Sequence, residues 1–352
     1  MQTTNFLIVG QGLSGTWLSY ELEKAGVSFL VIDEPVQNSS TNIASGIINP
    51  VTGRRMAKTW MVETLLPFAE KAYTEMGKAF GQDLIVLTKV IDFFSAPDRR
   101  LEFEKRSQMF AEYLQWPEDE NHYHPLFNYP FGYGIVAPAY QVDVQKMKQA
   151  WRQKLLANNL LWEEKFDIES LVLQDDGIIY KDVKADKIIF CDGIAAYENP
   201  YFKSLPWAFN KGEVLIVDIP DLPKDGLYKK TNTIVPWKDG LFWIGSSYDH
   251  DYTDDQPTEK FYQQTEAWLK NFLKLPFKIV AHLAAIRPGT MERRPFVGLH
   301  PVHNQVGIFN GMGSKGVSLA PYFAQQLVEN LLRQHPLLPE VDVKNFAKVL
   351  SR

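Results

Sequence analysis

The fold is decided by the stretch Phe6-Leu7-Ile8-Val9-Gly10-Gln11-Gly12-Leu13-Ser14-Gly15-Thr16, in which an apolar strand runs directly into a GxGxxG turn. The strand must turn sharply at Gly10, the backbone must approach a pyrophosphate at Gly12, and the following helix must pack against the strand at Gly15. Phosphates at such a turn meet free backbone N–H groups and the positive end of a helix dipole. The stretch therefore predicts a dinucleotide-binding site.

The residues after the turn support this interpretation. A helical pattern from Thr16 to Ala25 stops at Gly26 and leads into a second apolar strand, Phe29 to Ile32. Asp33 closes that strand about 20 residues beyond the glycines, where a carboxylate accepts hydrogen bonds from both ribose hydroxyls. An acid at this position also repels a 2′-phosphate.

Composition sets the broad class of the protein. The chain has 352 residues, of which 45% are hydrophobic, which is enough for two cores and therefore two domains. The net charge is −5 and the sequence has no long Lys/Arg run, so the charge pattern gives no indication of binding to nucleic acid or to an anionic membrane. No apolar stretch approaches the roughly 20 residues that span a bilayer, and a single cysteine excludes internal disulfides and thiolate metal clusters. We expect a cytoplasmic protein without a metal site; the oligomeric state stays open.

The middle of the chain departs from regular alternation of strand and helix, which predicts an inserted second domain. Trp60 to Phe80 has helical spacing, and the runs Leu84–Leu87 and Val90–Phe94 look like a pair of strands. The aromatic and proline-rich stretch from Trp116 to Tyr140 reads as irregular, and whether it forms a lid stays open.

Both domains are expected to resume later in the chain. After a helix from Gln145 to Asn158, the strand Ala185–Phe190 ends in the turn Cys191-Asp192-Gly193, at the sheet edge where ligands collect in α/β folds. Three runs with strand patterning and an aromatic-striped helix then return to the second domain. These elements are Lys211–Val217, Thr233–Pro236, Leu241–Gly245 and the helix Phe261–Leu273, with a hairpin turn at Lys238-Asp239-Gly240.

A second glycine-rich junction lies near the end of the chain. The strand Val306–Phe309 runs into Asn310-Gly311-Met312-Gly313-Ser314-Lys315-Gly316, and a helix follows from Val317 to about Leu332. Two such junctions predict an extended ligand that is contacted at both ends, because each junction presents free N–H donors and a helix N-terminus.

At this point the sequence resembles a known family. Ala285-Ile286-Arg287-Pro288-Gly289-Thr290, with Pro295-Phe296-Val297-Gly298, resembles the substrate-arginine segment of the glycine oxidase and D-amino-acid oxidase family. The closing stretch from Asn310 to Pro321 is similar to that family and also to the FAD oxidase half of the bifunctional enzyme that modifies tRNA wobble uridine. Together with the opening fingerprint, these motifs cover most of the chain in the family's order.

The resemblance implies non-covalently bound FAD and an α/β fold. A Rossmann-like FAD-binding domain, discontinuous in sequence, would comprise residues 1–59, 141–210 and 285–352. An α+β substrate domain with a mostly antiparallel sheet would comprise residues 60–140 and 211–284. The implied cofactor-binding residues are Gly10, Gly12, Leu13, Ser14, Gly15, Asp33, Ala44, Ser45, Gly46, Cys191, Asp192, Gly193, Gly311, Met312, Gly313, Ser314, Lys315 and Gly316.

The resemblance also implies a reaction. Arg287 would bind the substrate carboxylate through two parallel hydrogen bonds, and the carbon–nitrogen bond of a small amine or amino acid would be oxidised by hydride transfer to flavin N5. Oxygen or another acceptor would then reoxidise the flavin. A structural arginine paired with Glu292 is the alternative role for Arg287, and a surface lysine is the alternative for Lys315.

Two departures from the family pattern keep other functions open. Thr233 stands where glycine oxidases carry a tyrosine, and the loop from Ile47 to Arg55 is unlike the family loop, so that Arg54 and Arg55 could meet an anionic group. One alternative is therefore a tRNA wobble-uridine carboxymethylaminomethyl oxidase. The other is a flavin-binding protein without turnover.

Overall fold

The computed structural model describes residues 1–36, 38–53 and 55–351. In this part of the chain the α-helices are α1 (Leu13–Lys24), α2 (Val62–Phe80), α3 (Pro97–Met109), α4 (Val144–Ala157), α5 (Glu259–Phe272), α6 (Gly316–Arg333) and α7 (Ala347–Leu350). The strands are β1 (Gln2–Val9), β2 (Phe29–Ile32), β3 (Ile47–Ile48), β4 (Val51–Thr52), β5 (Ala57–Lys58), β6 (Ile85–Phe93), β7 (Leu114–Gln115), β8 (Tyr133–Val142), β9 (Leu161–Trp162), β10 (Leu171–Gln174), β11 (Gly177–Tyr180), β12 (Val183–Phe190), β13 (Asn210–Asp218), β14 (Leu227–Lys229), β15 (Thr233–Pro236), β16 (Phe242–Gly245), β17 (Lys278–Arg287), β18 (Phe296–Leu299) and β19 (Val306–Asn310). None of the helices in these ranges has the length and apolar character needed to cross a lipid bilayer.

The first compact unit contains residues 1–42, 144–210 and 286–352, and its centre is a parallel sheet. The parallel strands run in the order β9-β2-β1-β12-β19. Leu7 of β1 lies beside Leu30 on one side and Ile188 on the other, and all three side chains are fully buried. Strands that are apolar on both faces are typical of a sheet covered by helices, which is the Rossmann-like arrangement that the sequence predicted.

The second compact unit contains residues 43–143 and 211–285 and is built on a nine-stranded sheet. The strand order is β17-β13-β16-β15-β14-β6-β8-β3, and β7 also pairs with β8. The pairing of β14 with β6 is parallel, whereas the other pairings whose register is known in this sheet are antiparallel. The mostly antiparallel second sheet is therefore confirmed, as is the hairpin between β15 and β16.

Residues 85–93 form the single strand β6, so the prediction of two paired strands is wrong. β6 pairs along its length with β8, and its register shifts between Thr88 and Val90. Neither Thr88 nor Lys89 is a glycine, asparagine or proline, which a tight hairpin turn favours, so the chain continues through this irregularity as one strand.

The stretch from Trp116 to Tyr140 is more ordered than its composition suggested. Its last residues, from Tyr133 onward, belong to β8, which corrects the expectation of an irregular segment. Tyr123, Phe127 and Tyr129 are buried in the aromatic core of the second unit together with Phe93. Opening this segment as a lid would expose those rings to water.

The boundary between the compact units lies after residue 42, whereas the sequence placed it after residue 59. The segment 43–59 joins the second unit because β3 pairs with β8, with Ile48 opposite Tyr140. The assignment of a cofactor role to one unit and a substrate role to the other stays a prediction.

Candidate active site

The turn after β1 is closely packed around its glycines. Gly10 has a φ of 98°, and a Cβ added there would lie 2.5 Å from the Cys191 carbonyl oxygen. A Cβ at Gly15 would lie 1.8 Å from the carbonyl oxygen of Gly10. Only glycine fits at either position, because the contacts are with backbone atoms that cannot rotate away.

The N-terminus of α1 suits an anion. Gly12 is its N-cap and brings no side chain to cap the helix, and the first turn contains no acidic residue. Leu13 donates its N–H to Thr41 Oγ1 at 3.1 Å, and Ser14 is buried. The Leu13 N–H is thus bonded within the protein, and this helix end offers a pyrophosphate its positive dipole without a competing capping side chain.

Asp33 lies beside this turn, as the sequence predicted, but it has a partner that sequence reasoning missed. Its Oδ1 accepts a hydrogen bond of 2.7 Å from the Gln11 N–H, and its Oδ2 lies 2.6 Å from the Arg152 guanidinium. The same Arg152 Nη1 donates to the Gln11 side-chain oxygen at 2.9 Å. Arg152 comes from α4 and thus fixes the orientation of the carboxylate that would face the ribose.

Lys148, one turn before Arg152 on α4, adds a second cation near Asp33. Its ammonium donates to Asn42 Oδ1 at 3.1 Å. Burial lowers the pKa of Lys148, while the nearby Asp33 carboxylate raises it. The adenosine end of the predicted site therefore places two cations, Lys148 and Arg152, near Asp33, and Arg152 also pairs with Glu163 at 2.7 Å.

The end of β12 adjoins the same turn. Cys191 donates its N–H to Val9 at 2.8 Å and is buried, and that burial raises the pKa of its thiol. Asp192 accepts hydrogen bonds from Asn310 Nδ2 at 2.9 Å and from Asn199 Nδ2 at 3.0 Å. Desolvation raises the pKa of Asp192 from 3.8 to about 6, and the hydrogen bonds from both asparagines oppose this shift.

The second glycine-rich junction lies against the first. A Cβ at Gly316 would lie 2.8 Å from Leu13 Cδ2, so the first residues of α6 and α1 are neighbours. Asn310, the last residue of β19, donates to Gly193 and to Asp192, and its Oδ1 accepts the Gly311 N–H. The structure therefore brings the first junction, the β12 turn and the second junction together within one compact unit.

The second junction turns through left-handed glycines. Gly311 and Gly313 have φ values of 81° and 55°, and Met312 between them is buried. Ser314 and Lys315 are exposed. Although the Lys315 side chain as a whole is exposed, its surroundings desolvate the ammonium and lower its pKa, and the nearby Arg294 and Arg293 lower it further.

Arg287 is the last residue of β17 and is oriented by a buried amide. Its Nη1 donates to Asn210 Oδ1 at 2.8 Å, and Asn210 is fully buried. The Asn210 Nδ2 has no hydrogen-bond partner among the described residues. A buried N–H without a partner costs free energy, so a compensating role for Asn210 is expected. That role is the hydrogen bond that its Oδ1 accepts from the Arg287 guanidinium.

The remaining predicted residues lie elsewhere. Ala44, Ser45 and Gly46 belong to the second unit, where the Gly46 carbonyl accepts the Val142 N–H at 2.9 Å. Tyr228, a tyrosine close to Thr233 in sequence, is buried in the aromatic core. Its hydroxyl lies within hydrogen-bond distance of the Pro223 carbonyl and Asp225 Oδ1, so it is used within the protein. Arg54 lies outside the described residues, and Arg55 is exposed.

Comparisons with known proteins identify the family. The model of the FAD-dependent oxidoreductases known as DAO matches residues 5–330. The chain belongs to this family of FAD-dependent oxidoreductases. The enzyme's cofactor is FAD, and the residues present fit it: a glycine turn that excludes Cβ atoms, an uncapped helix N-terminus and a carboxylate after β2.

Named relatives extend over nearly the whole enzyme. It is 22% identical to a glycine oxidase of Pseudomonas aeruginosa, over 94% of this chain and 96% of that protein. It is similar in structure to glycine oxidase from Geobacillus kaustophilus, with a TM-score of 0.80, 17% identity and coverage of 96% of each chain. It is also similar to iminodiacetate oxidase from Chelativorans sp. BNC1, with a TM-score of 0.77, 17% identity and coverage of 96% of this chain and 98% of that chain.

Proposed function

We propose that the enzyme oxidises the carbon–nitrogen bond of an amino acid or a small amine that bears a carboxylate. The observation that carries this proposal is Arg287, whose guanidinium is held by the buried Asn210. The residue after it, Pro288, accepts the Gly313 N–H at 3.0 Å, so the arginine is followed directly by backbone that contacts the second glycine-rich junction. These contacts support a role for Arg287 in binding a carboxylate beside the second glycine-rich junction, where we predict the flavin.

The role of Arg287 is to orient the substrate. Its planar fork binds a carboxylate through two parallel hydrogen bonds and has no proton to give, since it stays charged throughout the accessible pH range. Bound FAD supplies a two-electron acceptor for the hydride of the substrate α-carbon. As the hydride leaves the α-carbon, the nitrogen lone pair forms the carbon–nitrogen double bond, and the nitrogen loses its N–H proton to water. Water then hydrolyses the imine to a carbonyl compound and ammonia, or an amine where the nitrogen is substituted. Orientation of this kind supplies much of the rate acceleration when two reacting atoms are brought together.

The names of the relatives favour the same chemistry. The two glycine oxidases and the iminodiacetate oxidase are each named for a substrate with a carboxylate on the carbon next to nitrogen. Oxygen or another electron acceptor as the second substrate stays a prediction, as does a cytoplasmic site of action.

Anaerobic mixing tests the proposal. We expect amino acids or carboxylated amines to bleach the visible absorbance of the bound flavin, and Arg287→Ala to lower kcat/KM for them by at least about tenfold. Arg333→Ala is the matched control, because Arg333 is an exposed arginine of α6 that pairs with Glu329. An effect of Arg287→Ala no larger than that of the control would contradict the assigned role.

The same experiment separates the two alternatives. Bleaching by hypomodified tRNA, with small amino acids inert, would indicate a wobble-uridine oxidase. Failure of every amine in the panel to reduce the flavin would indicate a flavin-binding protein without turnover.

A further inference from the structure

Two adjoining loops of the first unit carry basic side chains beyond Arg287. The segment 288–294 follows Arg287, and it contacts the second glycine-rich junction through the hydrogen bond from Gly313 N–H to the Pro288 carbonyl. A Cβ at Gly311 would lie 2.7 Å from Thr290 Cγ2. The two loops therefore pack directly against each other.

The segment 288–294 is held in one conformation by its own hydrogen bonds. Thr290 Oγ1 donates to the Arg294 carbonyl at 2.7 Å and accepts the Arg294 N–H at 3.0 Å. The Arg293 N–H donates to the Thr290 carbonyl at 3.1 Å, with Arg293 in the left-handed region at a φ of 56°. The basic residues thus project from a fixed turn and not from a loose tail.

Two of these cations have no partner within the described part of the chain. Neither the Lys315 ammonium nor the Arg293 guanidinium makes a hydrogen bond or an ion pair there. Arg293 and Arg294 are both close enough to lower the pKa of Lys315. The neighbouring carboxylates of Glu340 and Glu292 raise the pKa of Arg294, against the lowering by burial.

A cluster of this kind favours an anion. Like charges held together destabilise one another, and an anion placed between them converts that repulsion into charge-assisted hydrogen bonds. Arg287 already accounts for one carboxylate in the proposed function. Arg293 and Lys315 therefore offer binding capacity for a second negative group.

We propose that Arg293 and Lys315 bind a second anionic group of the substrate, so that the enzyme acts on amino acids that carry a further carboxylate or phosphonate. This inference rests on the proposed function, in which Arg287 binds the first carboxylate. It assigns Lys315 to the substrate, in place of the flavin contact that the family resemblance implies.

Matched substrates test this inference. N-methylglycine and iminodiacetate share a secondary amine and one carboxylate, and differ by the second carboxylate, while N-(phosphonomethyl)glycine carries a phosphonate in its place. We expect kcat/KM at least about tenfold higher for one of the dianionic compounds than for N-methylglycine, mainly through KM. The better of the two dianions identifies the second group as carboxylate or phosphonate.

Variants locate the effect. Lys315→Met and Arg293→Gln should each lower the ratio of kcat/KM for the preferred dianion to kcat/KM for N-methylglycine by about tenfold, and Lys315→Arg should restore most of this preference. Lys78→Met, at an exposed lysine of α2, is the control. Equal losses for the monoanionic and dianionic compounds would overturn the inference, since they would place Lys315 on the flavin or in the structure.

A binding measurement keeps the test independent of turnover. Acetate, malonate, succinate and glutarate are not oxidised, and their dissociation constants follow from perturbation of the flavin spectrum. At least one dicarboxylate should bind about tenfold more tightly than acetate and lose this advantage in Lys315→Met. No advantage over acetate would overturn the second anion site, whereas a dicarboxylate advantage without oxidation of any amine would instead refute the proposed function.

Discussion

The two glycine-rich junctions of the first unit look alike in sequence and differ in what surrounds them. At the first, Cβ atoms at Gly10 and Gly15 would strike backbone oxygens at 2.5 and 1.8 Å. At the second, Gly311 and Gly316 face the ends of side chains, Thr290 Cγ2 and Leu13 Cδ2, at 2.7 and 2.8 Å. Backbone cannot move aside, and Thr290 is held by its hydrogen bonds with Arg294, whereas the end of the Leu13 side chain can rotate away. A methyl group is therefore accommodated more easily at Gly316 than at Gly10 or Gly15.

Gly15→Ala should break the first junction and have the largest effect. The added methyl group would overlap the Gly10 carbonyl, so we expect the free energy of unfolding to fall by about 3 kcal/mol or more, with loss of bound FAD. Chemical denaturation and the flavin content of the purified protein measure both. Gly26→Ala is the control, because Gly26 has a φ of 69° but open space around it, and should cost only about 1 kcal/mol. Equal effects at the two glycines would show that the packing contact does not matter.

Arg152→Met tests how the first junction holds its carboxylate. Without the guanidinium, Asp33 loses a charge-assisted hydrogen bond and its fixed orientation, so we expect the dissociation constant of FAD to rise about tenfold. Titration of the apoprotein with FAD, followed by quenching of flavin fluorescence, measures it. Lys154→Met removes a different ion pair of α4, with Glu23, and should leave FAD affinity unchanged. FAD binding that is unchanged or tighter in Arg152→Met would refute the positioning role.

Asp192→Asn tests the carboxylate beside the second junction. Because its pKa is raised from 3.8 to about 6 in the folded protein, the folded state binds this proton more tightly than the unfolded state. The wild type should therefore lose stability relative to Asp192→Asn as the pH rises from about 4 to about 6. Denaturation of both apoproteins across this range measures the difference, and parallel pH curves would contradict the shifted pKa.

Gly316→Ala should have the smallest effect and completes the comparison. The nearest atoms to the methyl group would be Leu13 Cδ2 at 2.8 Å, which can rotate away, and Met312 Cβ at 3.0 Å. Alanine is also the better helix former, so we expect the unfolding free energy to change by less than about 1 kcal/mol. Denaturation under the conditions used for Gly15→Ala provides the comparison. A loss as large as that of Gly15→Ala would remove the distinction between the two junctions.

Much of the fold followed from local pattern. The β1 turn, the strand that ends at Phe190 and the hairpin of β15 and β16 are all encoded by short apolar runs with glycine at the breaks, and the structure confirms them. β6 was misread because a bulge and a hairpin both interrupt an apolar run. The predicted domain boundary after residue 59 differs from the boundary of the compact units after residue 42, because the pairing of β3 with β8, distant in sequence, joins the segment 43–59 to the second unit.

Prediction of the site residues from sequence has the same limit as prediction of the fold. The glycine turns and Asp33 carry sequence signals, whereas Arg152 and Asn210 do not, because each acts on a residue far along the chain. The separation between Arg152 and Asp33 is 119 residues. Only the folded sheet and α4 bring such pairs together, and no single-sequence pattern marks them.

A crystal structure of the enzyme with FAD bound is the most direct test that the two junctions hold one cofactor. We expect the pyrophosphate at the N-terminus of α1, the ribose on Asp33, and the flavin ring beside residues 311–316. A pyrophosphate elsewhere, or a ring distant from the second junction, would contradict the shared site.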